Sequence, residues 1–261
     1  MNWPAEETMT SAQRKLKRGI EHVRTLLGEV RSYEEAGAYI FDYEQEIRSE
    51  TEAVYRCFAD RKVALPMHWP LLAGEAIQNL RAALDHLVYE KSGGKSSTSF
   101  PIFTDRKEYE EKAPGRLKGV SEEIAKQIAE FQPFRFMPED ASQHPLAQLS
   151  SLSNRDKHKV LSTVASAVTR EGVGIPAGVK LKWDDYGTLK ELGAGRRQIS
   201  TFMVRAKGGV EDVTVEPHFS YEVRIERHPI GVLKGIGHEV FRVMGEIETG
   251  GNLSPVAPFP L

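Results

Sequence analysis

The chain has 261 residues, enough to bury a substantial core as one large domain or two small ones. It is 40% apolar and 28% charged, as expected of a globular protein, and 35 basic against 37 acidic residues leave a net charge of −2, which excludes a global attraction to nucleic acid or an anionic membrane and leaves room only for a local patch. A single cysteine, Cys57, excludes an intrachain disulfide and a cysteine-based zinc cluster. No stretch approaches the roughly 18 apolar residues of a membrane span, and the N-terminus lacks the apolar run of a signal peptide; a cytoplasmic protein with no membrane partner is expected.

In chain order, Ser11 to Glu35 reads as a long helix. Leu16, Ile20, Val23, Leu27 and Val30 recur every three or four residues, Lys and Arg fill much of the other face, and Gly37 stops it. Residues 38–62 are rich in aromatic and β-branched side chains and read as a hairpin turning near Arg48–Thr51, with a helix as the alternative. Pro66 and Pro70 lead into an amphipathic helix ending at Gly93 and Gly94, its apolar face formed by Ala73, Ala76, Ile77, Leu80, Ala83, Leu84, Leu87 and Val88. Its remaining surface carries Glu75, Gln78, Asn79, Arg81, Asp85 and His86, the densest set of binding and titrating groups in the chain.

Phe100–Phe103, FPIF, reads as a buried anchor. Short helices are expected at Asp105–Lys112 and Ser121–Phe131, the second N-capped by Ser121 with Glu122 and Glu123 favouring its dipole. Another helix begins at Pro145 and runs through PLAQLSSLSNRDKHKVL with Leu146, Leu149 and Leu152 inward. After about Val160 the period changes from 3.6 to 2, and STVASAV, VKLKW, QISTFMVRA and DVTVEPHFSYEVRIE read as four antiparallel strands of a β-meander. A last helix is expected from Ile230 to Glu248 with Pro229 at its start, then an extended tail over 249–261. The expectation is a single α+β domain over 1–261: a helical half to about 159 around the central helix, a meander, and a C-terminal helix, with the early hairpin able to join the later sheet.

Two polar groupings carry candidate chemistry. On the central helix, Arg81 and Asp85 are four apart and can pair, while Asn79 and His86 are seven apart and share a face. Near residue 155, Asn154 and His158 share a face of the next helix, with Arg155 and Asp156 between them. One reading is structural: an ion pair, loop caps and a solvated basic helix end. The sharper reading has Arg155 and His158 meeting Asn79 and His86 across a groove that binds an anion or an RNA backbone. Other motifs fail. GGKSS at 93–97 lacks the first glycine of a phosphate loop, no nucleophile elbow or HExxH helix exists, and His218, His228 and His238 have no metal-ligand spacing. No metal or cofactor is expected.

Arg81 and His86 match Arg-x4-His and so resemble the signature of the HEPN helical ribonucleases. The resemblance implies metal-independent RNA cleavage in a homodimer, Arg81 stabilising the phosphate transition state and His86 transferring a proton. The chain departs from that family in Ala82, where a polar residue is usual. Five residues also set Arg81 and His86 about 140° apart around the helix, so a second copy is needed to bring both to one phosphate. A further likeness rests on NLRAALDHL at Asn79–Leu87, FPIF, QPF at Gln132–Phe134 and DKHK at Asp156–Lys159 in that order. These resemble a group of uncharacterised bacterial proteins with an NLRxALDHL helix and a later DKHR-like element, Lys159 replacing the Arg. That group implies no activity. It points to Asn79, Arg81, Asp85, His86, Asp156 and His158 as a site. Two functions follow: a HEPN-like ribonuclease of toxin or phage-defence type with Arg81 and His86 catalytic, or a non-enzymatic binding or interaction module in which the same cluster is structural.

Overall fold

The computed structural model describes residues 5–136, 138–169, 178–184, 190–211, 213 and 219–250. Their helices are α1 (Ser11–Glu35), α2 (Trp69–Lys91), α3 (Arg106–Arg116), α4 (Glu122–Glu130), α5 (Pro133–Phe136), α6 (Pro145–Asp156) and α7 (Val232–Thr249). Their strands are β1 (Tyr39–Ser49), β2 (Glu52–Arg61), β3 (Thr163–Thr169), β4 (Val179–Trp183), β5 (Lys190–Glu191), β6 (Gly195–Ala206), β7 (Phe219–Ile225) and β8 (His228–Pro229). The class is α+β. The chain divides into two compact units. A helical unit takes Met1–Gly28, His68–Leu161 and Gly231–Leu261, and a sheet unit takes Glu29–Met67 and Ser162–Ile230. The C-terminal helix thus belongs with the early helices, and α1 runs from one unit into the other.

In the helical unit, α2, α6 and α7 pack against one another pairwise. The apolar face expected of α2 is the buried one: Ala73, Ala76, Ile77, Leu80, Ala83 and Leu84 have no exposure. Burying each Leu or Ile contributes about 1.5–3 kcal/mol, so this stripe rather than helix propensity fixes the element. Two glycines permit close approach. A Cβ on Gly19 of α1 would lie 2.8 Å from the Leu80 side chain, and one on Gly74 of α2 would lie 2.7 Å from the Asp156 carboxylate of α6. On α1 the inward residue at the fourth turn is Leu26 rather than Leu27, which is half-buried. Asp105 caps α3 by accepting from the Glu108 N–H, and Ser121 caps α4 by accepting from the Ile124 N–H. α6 stops at Asp156, short of the expected end. Pro229 lies in β8, three residues before the first residue of the last helix rather than inside it.

The sheet unit holds two four-stranded sheets, ordered β1-β2-β6-β4 and β5-β3-β7-β8. The hairpin reading of 38–62 is the right one: β1 and β2 pair antiparallel from Tyr39↔Arg61 to Ser49↔Glu52, and β2 continues into the later strand β6. The expected β-meander is corrected, because the four late strands divide between sheets, β4 with β6 and β3 with β7. The reason is geometric. A strand has two edges, and both edges of β6 are taken, by β2 and β4, so β7 pairs elsewhere. Trp183, Phe202 and Tyr55 lie side by side on one face of the first sheet, with ring centroids 4.5 and 4.8 Å apart. The opposite face carries cross-strand ion pairs, Arg56 with Glu46 and Arg205 with Glu52. The sheets meet through β1 and β7, where Tyr39 lies 4.7 Å from Tyr221 and Phe41 stacks on Phe219. Burial raises the hydroxyls of this cluster, pushing Tyr221 up to about 12. The expected strand residues at 214–218, including His218, and the tail at 251–261 lie outside the described residues. Among the described residues no helix is long and apolar enough to cross a membrane.

α6 begins on an unusual cap. The buried His144 accepts from the Leu146 N–H through Nδ1 at 3.2 Å, which requires that nitrogen to be unprotonated. Burial pushes His144 below the ordinary histidine value; Glu239, 3.7 Å from Nε2, pulls it back and Arg242 pushes it further down. His22 is lowered in the same way, by burial and then by Arg18. The unfolded chain therefore takes up these protons first, near pH of about 6.5. The stability they contribute is complete above that pH and is lost as acid is added. Thermal unfolding should occur at a lower temperature at pH 5.5 than at pH 7.5. His144→Asn, which keeps a capping oxygen but does not titrate, should reduce that difference; an unchanged difference would show that His144 is not its source.

Candidate functional site

The polar surface of α2 is divided by helical period into two stripes. Gly74, Gln78, Arg81 and Asp85 form one; Glu75, Asn79 and His86 form the other. The second stripe turns to α1. The His86 Nδ1 is 2.6 Å from the Ser11 hydroxyl, Glu75 lies 3.4 Å from the His22 ring, and the Asn79 side chain accepts from Lys15 while donating to the Glu75 carbonyl. The first stripe turns to α6 and the Phe100–Phe103 segment. Gln78 donates to the Asp156 carboxylate at 3.0 Å and to the Ser153 carbonyl at 3.2 Å.

Arg81 and Asp85 form a bidentate pair, with Nη2 to Oδ1 at 2.7 Å and Nε to Oδ2 at 3.1 Å. The same pair clasps the main chain of Phe100: Arg81 donates to its carbonyl at 2.7 Å and Asp85 accepts from its N–H at 2.9 Å. The Arg81 side chain is only 13% exposed. Further along the segment, the fully buried Gln132 accepts from the Phe103 N–H and donates to the Pro101 carbonyl. Phe100–Phe103 is the buried anchor expected, and side chains rather than a strand partner satisfy its backbone.

Beside this clasp lies a polar cleft of about 710 Å³, bounded by α2, the Phe100–Thr104 segment, α3 and α6. Arg81 and Asp85 stand at one wall, Arg116 and Glu108 at another, and Asn154 and Lys157 at a third. Ser150 and Ser151 of α6 join the third wall, and Ser99 and Thr104 open into the cleft from the loop. Ile102 and Phe103 supply an almost fully covered floor, and the Arg116 guanidinium lies over the Phe103 ring at 4.7 Å.

The candidate residues are thereby separated. Arg81, Asp85 and Asn154 border the cleft. Asp156 sits behind it, in the notch left by Gly74. Asn79 and His86 face α1, while Arg155 and His158 are exposed beside the end of α6 and do not line the cleft. The groove expected between Arg155/His158 and Asn79/His86 is corrected on this point. The face those two α2 residues share is covered by α1, and α6 meets the neighbouring stripe instead. Arg116, Lys157, Ser150 and Ser151 were not singled out from the sequence. The spacing Ser150, Asn154, Lys157 is a polar stripe on α6 beside its leucines, and is the available signal; nothing local marks Arg116. Among the described residues no group of three or more His, Cys, Asp or Glu side chains is placed to hold a metal ion. Comparison with family models, with curated proteins and with solved structures finds no match to this chain.

Removing one partner of the clasp leaves a mostly buried charge and an orphaned N–H. Asp85→Ala should cost about 3 kcal/mol in urea unfolding. Asp85→Asn, which retains an acceptor for Phe100, should cost less. A loss under about 0.5 kcal/mol for Asp85→Ala would place the pair among ordinary surface ion pairs.

Proposed function

We propose that the protein is a non-enzymatic ligand-binding module, with the cleft of the helical unit as its site and Arg81, Asp85 and His86 as structural residues. One observation carries the reading: the Arg81 guanidinium is committed to both Asp85 oxygens and to the Phe100 carbonyl, while His86 lies on the stripe turned to α1. A residue that stabilises a phosphate in a transition state has to present free donors to it, and within one chain these two side chains point to different neighbours. The HEPN-like ribonuclease would need both a second copy of the chain and the release of Arg81 from Asp85. The module reading calls for neither a homodimer nor RNA. A cytoplasmic setting goes with it, since a chain with one cysteine has no intrachain disulfide that would call for an oxidising compartment.

A ligand bound only by the folded protein at about 100 times its Kd adds about 2.7 kcal/mol to stability. A panel of small polar metabolites should therefore contain compounds that raise the melting temperature of the wild type but not of Asn154→Trp, whose side chain fills the cleft from an exposed position. RNA should survive incubation with the wild type in EDTA. Cleavage that disappears in a folded His86→Ala protein would overturn the reading and restore the ribonuclease.

A further inference from the structure

We propose that this cleft is a site for a phosphate monoester on a hydroxyl-rich body, a sugar phosphate in chemical class; this rests on the binding-module reading. The walls of the cleft carry an excess of positive charge. Both acids of the cleft already hold a cation: Asp85 is paired with Arg81 and Glu108 with Lys112, each at 2.7 Å. Arg116 and Lys157 come from the C-terminal ends of two different helices, α3 and α6, and neither has a carboxylate within ion-pair distance among the described residues. Two positive charges are left over in one concavity. A phosphate monoester carries about −1.5 to −2 near neutral pH and matches that surplus, whereas a carboxylate carries one charge.

The guanidinium of Arg116 lies over the Phe103 ring, 4.7 Å from its centroid, and its planar fork of donors suits phosphate oxygens. Lys157 supplies a point charge from the opposite wall. Between them, the hydroxyls of Ser99, Thr104, Ser150 and Ser151 and the Asn154 amide make no hydrogen bond to other described residues. These groups both donate and accept, as a polyol requires.

At about 710 Å³ the cleft lies within the usual range for a small-molecule site and far exceeds a lone phosphate. The apolar lining is confined to Ala147, Ile102 and Phe103, each no more than 8% exposed, so no ring is free for a nucleobase to stack on. The body that fits is hydroxylated rather than aromatic.

Calorimetric titration of the full chain with glucose 6-phosphate, glucose, inorganic phosphate and AMP tests the assignment. Glucose 6-phosphate should bind most tightly, more weakly as salt is raised. Arg116→Gln and Lys157→Gln should each weaken it about 10–100-fold, the range for losing a charged hydrogen bond. Arg116→Lys, which keeps the charge but not the planar fork, should fall between wild type and Arg116→Gln. Circular dichroism establishes that each variant is folded. Glucose binding as tightly as its phosphate would overturn the phosphate assignment while leaving a binding cleft in place. AMP binding more tightly would overturn the sugar body. Binding to none of the four, or binding unchanged in the Arg116→Gln/Lys157→Gln double variant, would overturn the proposal, and the metabolite panel then decides separately whether the cleft binds anything.

Discussion

The helical unit depends on how it satisfies one piece of irregular backbone. Phe100–Phe103 is buried among helices yet has no strand partner among the described residues, and an unpaired peptide group in such a place costs about 1–3 kcal/mol. Arg81 and Asp85 hold the N–H and carbonyl of Phe100, and Gln132 holds the carbonyl of Pro101 and the N–H of Phe103. Each device pairs a donor with an acceptor, so each reproduces half a rung of a β-ladder with side chains. Replacing either by an apolar residue would leave the segment dry and unbonded. The cleft follows from this arrangement, because the segment so fixed supplies its floor and α2 and α3 its sides.

The clasp also explains why α2 combines an alanine-rich buried face with a crowded polar one. A helix of 23 residues that packs on several neighbours at once needs small side chains where backbones approach and long polar ones at the margins. Gly74 and Gln78 lock α6 through Asp156, while Glu75, Asn79 and His86 engage α1. Adjacent residues on a helix differ by about 100°, so the single step from Gly74 to Glu75, or from Gln78 to Asn79, changes which neighbour is met. The polar density that makes this helix look like an active site is in large part the cost of serving several interfaces.

What could be read from the sequence follows the distance over which each signal acts. The start of α1 at Ser11, the caps at Asp105 and Ser121 and the Arg81–Asp85 pairing are set within a turn of helix, and all were legible. The burial of FPIF was legible too, from its apolar run. Strand partners were not. Alternation identifies β3, β4, β6 and β7 as strands but says nothing of which edges meet, and the pairing of β2 with β6 joins residues some 150 apart. The four short motifs in chain order pointed to the right region but not to its meaning. Three of them make the network around Phe100–Phe103 themselves, and the fourth, through Asp156, fastens α6 to α2. The convergence of Arg116 with Lys157 depended on α3 and α6 bordering one cleft, which no local pattern encodes.

Many cations of both units meet a carboxylate, and among the described residues Arg116 and Lys157 of the cleft do not. On the first sheet, Arg56, Arg196 and Arg205 each meet a carboxylate across the strands. On the helical unit's surface, Arg106, Lys112, Lys126 and Arg135 each meet one nearby in sequence. Such pairs contribute little individually, but they neutralise the surface locally and leave no field to attract a ligand. In the cleft, by contrast, the acids are already matched and two cations remain. Selection for stability alone gives no reason to hold Arg116 and Lys157 in one cleft, since their mutual repulsion opposes folding. Binding of an anion does, because the same repulsion is relieved when the site is filled.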